Sequence, residues 1–155
     1  MSTHHYSLKT TWTGNTGEGT LAYRSYERSH TIEIEGKPEL FGSSDPTFRG
    51  DKSRHNPEDL LLAALSACHM MSFLHVCVLE NIIVTGYVDN ATAEMQVNAD
   101  GSGQFTSVTL NPMVTVASIE MAAKLNELHS RANKLCFIAN SVNFPVHHKA
   151  GAKVG

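Results

Sequence analysis

The residues of this chain best able to do chemistry crowd into one stretch, LLLAALSACHMMSFLHVCVLE, Leu60 to Glu80, where two cysteines, two histidines and two methionines are set into an aliphatic run. On a helix, at 100° per residue, Cys68, Met71 and His75 share one stripe, while Cys77 turns to the opposite face. The two helix cysteines therefore cannot pair with each other. Three chemistries fit the stripe. Cysteine and methionine are ordinary core fillers, and His75 then satisfies itself within the packing. Cys68, Met71 and His75 would alternatively make a soft site suited to Cu(I), although no Cys-x-x-Cys or His-x-x-x-His spacing supports it. His147 and His148 read as solvated residues of a disordered-looking tail rather than as ligands, so no metal is expected. The third reading makes Cys68 a working thiol.

Such a stretch needs a scaffold, and its helix start is written locally. Asn56 is placed to cap, Pro57 falls at the first helical position, and Glu58 and Asp59 complement the dipole. The helix is predicted to run to about Glu80 or Asn81. Before it, YSLKTTW, TLAYRSY and HTIEIEG alternate and read as an antiparallel meander, followed by a long functional or disordered loop, GKPELFGSSDPTFRGDKSRH. After it, YVDNATAEMQVN and FTSVTLNPMVTVA alternate again, with Ala91, Ala93, Met95 and Val97 on one face and Pro112 at a break or edge. A second helix is predicted over about Ser118 to Cys136. Its Met121, Leu125, Leu128, Ala132 and Leu135 form an apolar stripe opposite Lys124, Glu127, Arg131 and Lys134. Strands, helix, strands, helix make an α+β domain, and nothing between residues 1 and 155 reads as a linker, so one domain is expected.

Composition narrows the partners. A net charge of −3 without a basic run offers no general attraction for nucleic acid or for an anionic membrane. The N-terminal MSTHHYSLKTTW lacks the apolar segment of a secretory signal, so a cytoplasmic protein is expected. Three well-separated cysteines do not form a secreted disulfide framework, and in a reducing compartment they begin as thiols.

The first helix is apolar all round, which calls for burial on every side, and at 1.5 Å per residue it is about 36 Å long. One domain of this size has difficulty enclosing it. A homodimer that packs the helix between subunits is the simplest remedy; His69, His75 and two thiols argue against a membrane span.

The segment NPEDLLLAALSACH, with Cys68 ten residues after Glu58, and the later ANKLCFIANSVNFPV, with Cys136, resemble the OsmC/Ohr family of thiol-dependent peroxide-detoxifying proteins, nearer its OsmC branch. The resemblance implies an intertwined α+β homodimer with antiparallel sheets around a long buried central helix. It implies an organic hydroperoxide reductase without cofactor, in which Cys68 is the peroxidatic and Cys136 the resolving thiol, recycled by an external dithiol. It also implies an arginine, held by Glu58, that favours the Cys68 thiolate. Mid-helix placement among apolar neighbours makes such a cation necessary, because the helix dipole offers little there. Phe48 occupies the matching loop position, which makes Arg49 the favoured candidate and Arg54 its competitor. The glycine-rich TGNTGEGT carries no arginine of the Ohr kind.

Glu58 and Cys68 are separated by about 15 Å along a continuous helix. If Glu58 serves Cys68 through the arginine, either the helix breaks between them or the glutamate comes from the other subunit. Two departures from the family pattern stand out: Phe137 follows Cys136 in place of proline, and His69 follows Cys68 in place of an apolar residue. His69 is read as a polar residue facing a helix neighbour, or as an auxiliary hydrogen-bond partner of the site. Cys77 is assigned to packing. The alternative function is a non-enzymatic protein of the same fold that binds a lipid-like or aromatic ligand in an apolar interface pocket.

Overall fold

A computed structural model describes every residue, Met1–Gly155, in two compact units, Met1–Leu61 and Leu62–Gly155, with the boundary inside the long helix. The first unit is built on an antiparallel meander of β1 (Lys9–Trp12), β2 (His30–Glu33) and β3 (Leu40–Gly42). TLAYRSY, expected as a strand, is a run of turns and bends with one isolated bridge, Asn15 to Tyr26. Two features divert it. Asn15 Oδ1 accepts from the amides of Gly17 and Gly19, both at positive φ, and the Arg28 guanidinium donates to the carbonyls of Tyr23 and Tyr26, which a strand would need for pairing. The expected long loop is also more structured than its composition suggests. It contains β3 and a 3-10 turn, Pro46–Phe48, capped by Asp45. Gly50 lies so close to the Ser44 carbonyl that a Cβ there would stand 1.6 Å from its oxygen.

The long helix, α1 (Pro57–Leu79), starts as its sequence dictates. Asn56 Oδ1 accepts from the Asp59 amide at 2.8 Å, and Asp59 Oδ2 accepts in return from the Asn56 amide at 3.4 Å. It is unbroken to Leu79. Leu65, His69, Phe73, Val76 and Cys77 form its buried stripe, while Met71, His75, Val78 and Leu79 are exposed. All-round burial is therefore not achieved within one chain.

In the second unit, β4 (Val84–Asp89), β7 (Pro112–Val116) and β9 (Gly151–Val154) form one sheet, and β5 (Thr92–Val97), β6 (Gly103–Leu110) and β8 (Val146–His148) another. The registers show that these are two halves of one kinked, three-stranded ribbon. Asp89 pairs with Pro112 and Thr92 with Thr109, so the hairpin passes through the kink without slipping. The parallel third strand keeps step in the same way, with Leu110 opposite His148 and Met113 opposite Gly151. The all-antiparallel expectation is thus corrected: β6–β8 and β7–β9 are parallel, and the tail expected to be disordered supplies both third strands. At the kink, side chains replace the ladder. Asp89 Oδ1 accepts from the Asn111 amide at 2.7 Å, and Asn111 Nδ2 donates to the Asn90 carbonyl at 2.8 Å. A register shift between Glu94 and Met95 explains why Ala91 and Ala93 pack inward while Met95 and Val97, expected on the same face, are exposed.

The predicted second helix is two: α2 (Ile119–Ala122), capped by Ser118, and α3 (Leu125–Leu135). Leu125, Leu128 and Ala132 are buried as expected, whereas Leu135 is exposed at the end of the helix. One core cluster joins Phe73, Val76 and Cys77 of α1 to Val114 and Val116 of β7 and to Leu125, Leu128 and Ala132 of α3. A second joins Leu65 to Val108 and Leu110 of β6. Full burial contributes about 1.5–3 kcal/mol for each large aliphatic or aromatic side chain.

Candidate functional site

α1 and α3 bring two thiols together. Cys68 is half-buried on α1; Cys136, at the C-terminal cap of α3, is fully buried. The Cys136 thiol lies beside Cys68, and its sulfur accepts from the Ala139 amide at 3.4 Å. Burial, and after it the neighbouring Cys68, push the Cys136 thiol up to about 11. Cys136 therefore holds its proton at neutral pH. Two adjacent thiols, one more exposed than the other, are a pair in which a sulfenic acid on the exposed sulfur can be closed to a disulfide once the buried thiol gives up its proton. Cys77 lies apart in the apolar cluster, where burial alone raises it to about 11.

A polar layer lies behind Cys68 on the same helix. Ser66 Oγ donates to Asp89 Oδ2 at 2.5 Å, tying α1 to the kink of the ribbon. His69 is 1% exposed, and its Nε2 lies 3.0 Å from Nδ1 of the equally buried His129. The ring of His148 lies over His69 at 4.3 Å between centroids, and Phe73 stacks on His129 at 3.9 Å. Burial first, then the neighbouring His148 and His129, bring His69 down to about 3; burial and then His148 bring His129 down to about 4. His148 is lowered too, mainly by burial, with Asp89 opposing. The expectation that His148 is solvated is thus corrected, since β8 holds it half-buried in this cluster, while His147 is exposed. Sequence reasoning also missed His129, although its place on the apolar face of α3, four residues after Leu125 and three before Ala132, was a usable signal.

The remaining candidates belong to the first unit. Arg49 ends the 3-10 turn at φ 65° and is exposed. Arg54 is half-buried, with its Nε 3.5 Å from Asp51 Oδ2, its guanidinium 5.5 Å from the Phe41 ring centre, and its Nη1 buried without a protein partner. Glu58 sits half-buried in the first turn of α1. On the outward face of α1, Met71 and His75 border a groove of about 350 Å³ completed by Ser72, Leu135 and Phe137. No group of three or more His, Cys, Asp or Glu side chains is arranged to hold a metal ion.

This architecture is shared with solved structures. An OsmC-like protein of unknown function from Vibrio cholerae is 30% identical, with a TM-score of 0.85 over 96% of this chain and 99% of that one. An organic hydroperoxide resistance protein OsmC from Legionella pneumophila is 16% identical, with a TM-score of 0.72 over 99% of both chains. An organic hydroperoxide resistance protein from Elizabethkingia anophelis is 19% identical, with a TM-score of 0.69 over 99% of this chain and all of the other. No curated protein matches in sequence. The family model described as OsmC-like protein matches residues 50–150, a span that holds both Cys68 and Cys136. By that match and the Vibrio relative together, the chain belongs to the OsmC-like protein family.

Proposed function

We propose that this protein reduces organic hydroperoxides with Cys68 and Cys136. The observation that carries the reading is the proximity of the two thiols. The Cys68 thiolate attacks the terminal peroxide oxygen, the O–O bond breaks, and the departing alkoxide takes a proton to leave as an alcohol. Cys68 becomes a sulfenic acid. The Cys136 sulfur then attacks the Cys68 sulfur, losing its proton as the S–O bond breaks, and water leaves. An external dithiol reduces the disulfide. The names of the Legionella and Elizabethkingia relatives favour a hydroperoxide as substrate.

Cys68 needs a cation, and Arg49 and Arg54 compete for that role. Arg49 follows the family register more closely; Arg54 is the better held, with an unpartnered buried nitrogen. Alanine at the working arginine should move the pH profile of Cys68 alkylation upward by about one unit or more, equivalent to about 1.4 kcal/mol per unit. The other substitution should leave it in place.

A homodimer completes the reading. α1 is unbroken, which supports the partner subunit as the source of the Glu58 proposed to serve a given Cys68. The exposed Met71, Val78, Leu79 and Phe137 are the apolar surface such a partner would cover. Mixing Glu58→Ala with Cys68→Ser protein should restore about one working site per heterodimer; heterodimers without recovered activity would mean that each subunit builds its own site. α1 is long and apolar enough to cross a membrane, yet its buried stripe packs on β7 and α3. It serves as a core helix, in keeping with a cytoplasmic protein.

The groove beside Met71 and Phe137 keeps a second reading open, a binder of an apolar ligand. Consumption of cumene hydroperoxide in the presence of dithiothreitol decides between them. Turnover supports the peroxidase; no turnover with both thiols accessible leaves the binder.

A further inference from the structure

We infer that His69 and His129 are positioning residues for the thiol pair: their ring-to-ring hydrogen bond fixes α1 against α3 in the one arrangement that sets Cys136 on Cys68. The inference rests on the reading of Cys68 and Cys136 as one redox couple.

The geometry is specific. His69 is the residue after Cys68, and His129 lies seven residues before Cys136, on the same stripe of α3 two turns earlier. One hydrogen bond between side chains of α1 and α3 joins these rings, at 3.0 Å, and at the far end of α1 Arg131 Nη1 donates to Glu80 Oε1. Between those two points the helices meet by apolar packing, through Phe73, Val76, Cys77, Leu125, Leu128 and Ala132. Apolar packing tolerates small shifts, but a hydrogen bond weakens steeply once distance and angle depart from ideal. The bond therefore supplies the directional contact next to the thiols, since His69 follows Cys68 directly. A shift of one helix past the other by an ångström or two would break it and part the sulfurs together.

The bond also carries a cost that simple packing would avoid. In either tautomer arrangement it uses one nitrogen of each ring and leaves the other, His69 Nδ1 and His129 Nε2, buried without a protein partner. Two leucines would fill the same space with no orphaned polar atom. Burial keeps both rings neutral, so the donor–acceptor match survives throughout the neutral range. The orphaned nitrogens do not turn the cluster into a metal site, since no group of ligating side chains converges there.

The test measures the equilibrium constant of the Cys68–Cys136 disulfide against glutathione, in the full chain and without peroxide. His129→Phe keeps a ring stacked on Phe73 and loses only the bond. It should lower the constant at least tenfold, which for this two-electron couple is about 30 mV. His69→Phe should do the same and serves if the first variant fails to fold. The double variant His69→Gln/His129→Asn replaces the paired nitrogens by amides at matching distances from the backbone, and should return to within about threefold of wild type. Either phenylalanine variant, folded and with an unchanged constant, overturns the inference, as does a double variant no better than the phenylalanine ones. The two readings fail separately. Peroxide turnover with constants indifferent to His69 and His129 removes the positioning role alone. Shifted constants in a protein that consumes no hydroperoxide remove the peroxidase step alone. A chain that forms no Cys68–Cys136 disulfide at any glutathione ratio removes both.

Discussion

Cys77 and Cys136 are both buried and both pushed up to about 11, yet they stand in different neighbourhoods. Cys77 sits among Phe73, Val76, Ile82 and Val116, where desolvation alone accounts for its shift. Cys136 has the sulfur of Cys68 and the Ala139 amide beside it. Desolvation makes both thiols poor acids, but only one has a partner to which a proton or a bond could pass. Neighbourhood, more than acidity, separates a redox thiol from a small core hydrophobe.

The sharpest way to break that comparison is to remove each sulfur in turn. Cys68→Ser should abolish hydroperoxide consumption, Cys136→Ser should leave a Cys68 sulfenic acid that dimedone traps, and Cys77→Ser should keep both turnover and the disulfide. Peptide mapping that finds Cys77 in the main disulfide after stoichiometric peroxide would reverse the assignment. A smaller effect is expected at the residue shared by the two neighbourhoods: Phe73 touches the apolar cluster on one side and the histidine rings on the other. Phe73→Ala should cost about 3–5 kcal/mol in urea unfolding.

Acid should separate the neighbourhoods further. His69 and His129 are held below their unfolded value of about 6.5, so below that pH the unfolded chain binds protons that the folded one refuses. Their contribution is complete above pH 6.5 and is lost as the pH falls towards 4. At pH 5 both histidines are protonated in the unfolded chain and neutral in the folded one, and each should have cost about 2 kcal/mol, visible as a falling urea midpoint. The titratable group facing the pair is His148, which is itself acted on by Asp89, favouring its charged form, and by His147, opposing it. His69→Gln/His129→Asn should flatten the acid limb. The smallest effect belongs to Cys77→Ser, which buries a hydroxyl without an evident partner and should cost about 1–3 kcal/mol with no change in the glutathione equilibrium.

The legible parts of the fold were the ones decided locally. Asn56, Pro57 and Asp59 specify the start of α1 within four residues, and the periodicity around Leu125 and Leu128 locates α3. The pairing of Cys68 with Cys136 came from family resemblance, because nothing local to either cysteine encodes a neighbour so distant in sequence. What sequence did not yield depends on such distant partners. TLAYRSY alternates like a strand, but the carbonyls of Tyr23 and Tyr26 are taken by Arg28. VHHKAGAKV carries no strong strand pattern, and its order comes from the ribbon it joins. The break between α2 and α3 has neither Gly nor Pro to announce it; the Lys124 amide simply bonds to the Met121 carbonyl instead of continuing the α-helical ladder.

That kinked ribbon also imposes a timetable. Its third strand, β8 followed by β9, runs parallel to β6 and β7 and reaches Val154. A chain grows from its N-terminus, so the hairpin of β4–β7 is made first and waits with a bare edge until residues 146–154 emerge. During that interval the ring of His148 is absent from the cluster over His69, and the edges of β6 and β7 are open to pairing with any other strand. Closure then joins segments far apart in sequence, the slow kind of contact. The newborn protein thus holds its cysteine-bearing helices before it can seal the sheet behind them.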